Sequence, residues 1–273
     1  MKKFLRCSTI VLGAGIGLFL LAGLALHAIG MQKLTRSYPD IPVQTTNIPT
    51  DADAITRGKH IAVVWLCTRC HGEDLSGKLV EDDPFLGTIP AGNLTSGEGG
   101  VATAYTDVDW IRGIRHGVKP NGQVEIMMYD YSTMSDQDLG DLIAYLKQIP
   151  SADSNLPAMR IGPILPLAPA LGYLVPPADR IDHDALIPAN PVPGVTVEYG
   201  KYLSTLCREC HSPNIGGKLE AWTQEQFIRA MQTGVLPNGE RLGSGMPLYS
   251  EMNHIELAAL WLHYQSLPPE PGQ

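Results

Sequence analysis

The sequence predicts an all-α chain: an N-terminal transmembrane helix, then two tandem copies of one small helical domain joined by a proline-rich strap. An apolar run opens the 273-residue chain. One ordered set of short motifs then occurs twice, the mark of an internal duplication. Helical periodicity recurs in both copies, and no alternating stretch of useful strand length accompanies it.

The anchor occupies residues 1–36. Lys2, Lys3 and Arg6 precede an apolar run from Ile10 to Leu26, extended by Ala28 and Ile29 with only His27 polar. At ~1.5 Å per residue, Ser8 to Gly30 can cross a ~30 Å hydrocarbon core. Cleavable signal peptides have apolar regions of about 7–15 residues, so the segment suits an uncleaved signal-anchor better, although Ala28-Ile29-Gly30 offers a small-x-small cleavage site. The basic amino end is expected in the cytoplasm and the remainder outside, with Lys33 and Arg36 opposing that bias. Cys7, near the inner membrane edge, suits an incidental thiol better than a palmitoylation site.

The first copy (37–150) contains Gly58-Lys59-His60, Cys67-Thr68-Arg69-Cys70-His71, Trp110-Ile111-Arg112, Gly117 to Gly122, Met128, Tyr131-Ser132 and Met134. The second (196–273) repeats this as Gly200-Lys201-Tyr202, Cys207-Arg208-Glu209-Cys210-His211, Phe227-Ile228-Arg229, Gly234 to Gly239, Met246, Tyr249-Ser250 and Met252. The copies differ in one loop: His71 and Trp110 lie 39 positions apart, His211 and Phe227 only 16. The long loop, 72–106, is expected to wrap its own site as an Ω-type excursion or to meet a partner. Residues 151–195 read as an ordered strap, too short and too broken by Pro163, Pro166 and Pro169 to cross a membrane. Helices are expected before each Cys-x-x-Cys-His, over Asp109–Gly117 and Gln224–Thr233, and at the end of each copy, with Asp136 and Asn253 as N-caps of the last.

Cys-x-x-Cys-His is the attachment signature of c-type haem. On a helix, positions i, i+3 and i+4 share a face, so both thiols can bond a porphyrin edge while the imidazole reaches the iron. A thioredoxin-like motif needs a βαβ setting that is missing here, and zinc would not require His after each second cysteine. Disulfides within the pairs are the remaining bland reading, and the duplication with its matching downstream text disfavours it. Two covalently bound haem c groups are expected, on Cys67 and Cys70 and on Cys207 and Cys210, with His71 and His211 as iron ligands.

Methionine thioether is the soft sixth ligand that raises the potential of cytochromes c. Met246 lies in a loop before the last helix. Met128 is its counterpart, because it precedes Met134 by six residues as Met246 precedes Met252. Met127 is then expected to face packing. Core filling is the ordinary use of methionine, and Met134 and Met252 are the reserve ligands. His116, His254 and His263 do not align between copies, which argues against a shared bis-His design. Arg112, Arg115 and Arg229 could pair with propionates.

Five basic residues lie in the anchor and no acid precedes Asp40, leaving 15 basic against 28 acidic residues outside it, a formal −13. Nucleic acid is an unfavourable partner for such a surface. A redox partner with a basic patch suits it, although solubility alone also explains it.

Pro84-Phe85-Leu86-Gly87-Thr88-Ile89, Asn93-Leu94-Thr95 and Trp110 to Gly117 resemble the multihaem cytochrome c subunits of membrane-bound alcohol and gluconate dehydrogenases. The resemblance covers roughly residues 55–150 and 196–269. It implies class I cytochrome c domains, His/Met ligation at the four positions named and a site on the outer, periplasmic face of the inner membrane. It also implies a non-catalytic role, passing electrons from a dehydrogenase or quinol-oxidising complex to a later acceptor. Such subunits typically carry three haems, whereas this chain has two motifs, and Met128 is followed by Tyr129 where Met246 is followed by proline. Pro84 is the expected source of a carbonyl orienting His71. The competing reading is a dihaem enzyme, a peroxidase or sulfur-compound dehydrogenase, with one open or labile iron.

Overall fold

The computed structural model describes residues 2–211, 219 and 221–268, with side chains from Ile10 onward. The thiol expected at Cys7 and the end of the second copy lie outside that set. The described residues are mostly helical. The first helix, α1 (Lys2–Leu34), includes the apolar span Ile10–Leu34, whose mean hydropathy is 2.2 and which is long and apolar enough to cross a membrane. Its C-terminal end is fixed to the rest of the molecule. Leu34 packs with Ile89, Ile126 and Leu165 in a small core of their own.

Helix α2 (Ala52–Val64) starts where the Asp51 carboxylate accepts the Ala54 amide, and it buries Ala54, Gly58, Ile61 and Ala62 along one face. It packs against α5 (Asp136–Leu146). The crossing is so close that a Cβ on Gly58 would lie 2.0 Å from the Asp141 carbonyl oxygen. The same crossing recurs between α7 (Val197–Leu203) and α9 (His254–Ser266), where a Cβ on Gly200 would meet the Ala259 oxygen at 1.9 Å. Asp141 and Ala259 hold equivalent positions in the repeat. The middle helices correspond as well: α4 (Asp107–His116) and α8 (Gln224–Thr233) each begin with a capping box, on Thr106 and Thr223, and end at a left-handed glycine, Gly117 or Gly234. These reciprocal caps satisfy the orphan amides that any helix start exposes. Asn253 caps α9 as expected, but Ser135, not Asp136, caps α5. The Ser135 hydroxyl accepts the Asp138 amide, while Asp136 is turned to Arg115.

The expectation of a purely helical chain needs correction. The long first-copy loop folds into a hairpin, β1 (Lys78–Asp83) and β2 (Gly87–Ala91), with a bulge between Leu79 and Glu81. The proline-rich segment adds β3 (Arg160–Ile161) antiparallel to β2, so the order is β1-β2-β3. Gly87, at φ 122°, leaves its Cβ position 2.1 Å from the Arg160 oxygen, where a side chain would part the strands. After β3 the segment forms a single turn, α6 (Leu167–Ala170), against α1. Further on, Arg180 pairs with Glu209 at 2.9 Å and the Asn190 side chain accepts the Gln137 amide. The segment thus touches elements of both copies.

Candidate functional site

The first motif is presented by a sharp turn. Leu66, between α2 and the short helix α3 (Cys67–His71), adopts a left-handed conformation at φ 62°, unusual for a bulky residue. Within α3, Cys67, Cys70 and His71 share one face, as their spacing dictates. His71 Nδ1 lies 2.7 Å from the Gly92 carbonyl oxygen. A carbonyl only accepts, so Nδ1 carries the proton and donates it, leaving the Nε2 lone pair free. Burial lowers the His71 pKa against the raising effect of that bond, which favours the neutral, ligating form. The orienting carbonyl therefore comes from Gly92, not from the expected Pro84. Pro84 sits in the turn at the far end of the hairpin, whereas Gly92 directly follows the returning strand.

All four motif thiols are free. Burial pushes Cys67 up to about 12 and also raises Cys70 and Cys207. Thiols raised in this way are not activated nucleophiles, a role that needs an accessible thiolate. Among the described residues no group of three or more His, Cys, Asp or Glu could hold a metal ion. The second motif lies on a 3-10 turn, Leu206–Glu209, with Cys207 and His211 half-buried and Cys210 exposed. The stretch directly after His211 lies outside the described residues.

Met128 and Met246 are half-buried and pack on the main core, whereas the reserve candidates Met134 and Met252 are fully committed to it. Met127 is exposed, contrary to the expectation that it faces packing. Of the histidine candidates, His116 is buried, lies 3.0 Å from His183 and is held down at about 4 by burial, with His183 and two arginines adding to the effect. His263 is buried on α9 and His254 exposed at its start.

Arg115 is buried and occupied structurally, bonding Asp136 at 2.9 Å and the Met134 carbonyl, and Arg112 lies 3.5 Å from Asp109. Yet Trp110 Nε1, Arg112 Nε and Arg115 Nε are buried without a protein acceptor. Burying a donor unpaired costs about 1–3 kcal/mol. Three such donors along α4 each lack an acceptor that the polypeptide could supply. The residues present fit a haem: two neutral thiols, an oriented imidazole, a loop thioether and orphaned donors.

Two features escape motif reading. The Arg69 guanidinium, inside the first Cys-x-x-Cys, donates to the Gly245 carbonyl at 3.0 Å, next to Met246 of the other copy. Aromatic rings also meet across the copies: Trp65, 6.0 Å from Tyr131 of its own copy, lies 5.6 Å from Tyr202 of the other. A small apolar hollow beside them is lined by Val64, Leu203, Cys207 and Met252 among others. The unlike third residues of the two motifs, Arg69 and Glu209, add to the unequal loops as sequence signs that the copies differ.

Residues 55–150 match the cytochrome c family model. The chain is 24% identical over 218 residues to the fructose dehydrogenase cytochrome subunit of Gluconobacter japonicus, covering 71% of this chain and 44% of that one. It is 30% identical over 174 residues to the gluconate 2-dehydrogenase cytochrome c subunit of Pantoea cypripedii, covering 58% of this chain and 38% of that one. The chain thus spans less than half the length of these curated relatives.

Proposed function

Residues 55–150 being a cytochrome c domain, we propose that the whole chain is a membrane-anchored dihaem cytochrome c that passes electrons from a dehydrogenase or quinol-oxidising complex to a downstream acceptor. The observation that carries the reading is the His71–Gly92 bond, which leaves a ligating nitrogen on the same face as two neutral thiols. Residues 37–150 and 196–273 would be tandem domains joined by the strap 151–195, with 1–36 holding both at the periplasmic face of the inner membrane. The recurrence of glycine crossings, capping boxes and glycine stops in both copies supports the tandem assignment. The span Ile10–Leu34 supports the anchor.

Cys67 and Cys70, and Cys207 and Cys210, would hold the two haem c groups through thioethers. His71 with Met128 and His211 with Met246 would be the axial pairs. When bound, each haem supplies reversible one-electron chemistry. The polypeptide contributes an imidazole kept neutral and fixed in orientation, donors for the propionates and an apolar shell that sets the potential. No residue is assigned a catalytic role. Both relatives are named as subunits of dehydrogenases, which points to a dehydrogenase as donor. The −13 balance outside the anchor suits an acceptor with a basic docking face.

The test is haem stoichiometry and ligation in the purified holoprotein. Two haems per chain, falling to one when either cysteine pair is changed to serine, are expected. So are two low-spin irons with a thioether-to-iron charge-transfer band. A high-spin iron that binds carbon monoxide readily in the unaltered protein would overturn the electron-carrier reading in favour of the dihaem enzyme.

A further inference from the structure

We propose that the segment Ile161–Val175 is an interfacial membrane foot, lying in the headgroup boundary of the same bilayer that α1 crosses. The proposal rests on the anchor reading above and adds a second membrane-contacting surface, distant in sequence from the first.

Four observations converge. The segment contains no charged residue, in a chain of formal charge −8. It is tied to the outer turns of α1: His27 Nδ1 lies 3.2 Å from the Pro163 carbonyl oxygen, the Lys33 ammonium donates to the Pro169 carbonyl at 2.8 Å, and Gly30 meets the Pro166 backbone directly. Those contacts put the segment beside the last turns of the span Ile10–Leu34, where a crossing helix leaves the hydrocarbon. Its inner face is spent on α1 and the small core around Leu34, through Leu165 and Pro169. Its outer face is apolar and uncovered: Tyr173 is 86% exposed and Leu171 56%. Phe85, on the adjoining hairpin turn, is also exposed and accepts the Ile164 amide.

The backbone shows the same adaptation. A segment at membrane depth must satisfy its amides without water. Between Gly162 and Leu174 the three prolines carry no N–H, and nine of the ten remaining amides donate to carbonyls of the protein. The nearby carboxylates are also engaged: Asp83 accepts the Phe85 and Leu86 amides, and Asp82 accepts the Thr88 hydroxyl. A water-facing strap needs none of this economy. Tyrosine at the rim of an apolar surface is the side chain that membrane interfaces favour.

The test uses full-length holoprotein, one copy per nanodisc of phosphatidylethanolamine and phosphatidylglycerol. Cys7→Ser removes the remaining free thiol, and single cysteines are placed as Leu171→Cys, Tyr173→Cys, Leu18→Cys and Leu186→Cys. Modification by a water-soluble maleimide reports exposure, because the reaction needs a hydrated thiolate. The thiols at 171 and 173 are expected to react at least about tenfold more slowly than the one at 186, as the one at 18 does. Rapid reaction at 171 and 173 with a protected 18 would overturn the foot and leave the anchor standing. Rapid reaction at 18 would overturn the anchor, and the foot with it.

Discussion

The His60 imidazole lies 2.7 Å from a carboxylate oxygen of Glu256, joining the first copy to the last helix of the second. The contact has a counterpart. Tyr202, equivalent to His60, donates to Asp138, equivalent to Glu256, at 2.5 Å. When position i of one copy meets position j of the other and the reverse also holds, the contact is two-fold in kind. The copies therefore pack as a dimer does, although one chain carries both. Glu256 is nearly fully buried, and its other oxygen accepts the Asn253 amide that starts α9.

That pair makes stability depend on pH. The hydrogen bond to Glu256 raises the His60 pKa, against the lowering effect of burial. A native value above the unfolded one contributes stability that is fully present below the unfolded value, about 6.5, and is lost as pH rises through the native value. Thermal denaturation of the holoprotein from acid to mildly alkaline pH should show this decline, and His60→Gln should flatten it. An unchanged slope in that variant would show that His60 is not its source.

The glycine crossings tolerate no side chain. Gly58→Ala and Gly200→Ala each drive a methyl into a backbone oxygen about 2 Å away that cannot move aside. Each should destabilise by about 3 kcal/mol, at the upper end of overpacking costs. Chemical denaturation of the holoprotein checks this, and Gly243→Ala, which meets open space, is the control.

The methionines should separate by role. Met128→Ala and Met246→Ala should each remove about half of the thioether-to-iron band and lower one of the two potentials, whereas Met127→Ala should do neither. Met134→Ala and Met252→Ala should leave ligation intact but cost about 2–5 kcal/mol as buried truncations. Loss of the band in a Met134 or Met252 variant, with retention in the Met128 and Met246 variants, would reassign the ligands.

Arg69→Ala should alter the other copy's site. Removing the bond to the Gly245 carbonyl frees the Met246 loop by about 0.5–1.5 kcal/mol, the net worth of such a bond. Faster carbon monoxide binding at the reduced second haem, with the first unaffected, is the expected signature. An effect confined to the first haem would refute the cross-copy link.

Short-range features of the fold were legible in sequence. Asn253 as a cap and the middle helices of both copies are read within one copy or by aligning two, although α4 starts at Asp107 and ends before Gly117. The sheet was not legible. β1 is mostly exposed and so lacks the alternation that betrays a strand, β2 contains Gly87 and Pro90, and β3 is two residues long and arrives from a distant segment. The orienting carbonyl was misplaced for the same reason. Without the hairpin, nothing shows that Gly92 folds back to His71 while Pro84 turns away. His60–Glu256 and Tyr202–Asp138 were hidden because each pair looks unremarkable until the copies are docked.

The bond from Arg69 to Gly245 also has a consequence in time. Its partners are 176 positions apart, and a chain emerging from synthesis settles its amino-terminal part first. The Arg69 side chain is made long before its acceptor, so the clamp on the Met246 loop can close as soon as that loop emerges. A chain stopped short of Gly245 would therefore leave Arg69 without this acceptor, so the Arg69 environment reports whether the second copy has been completed.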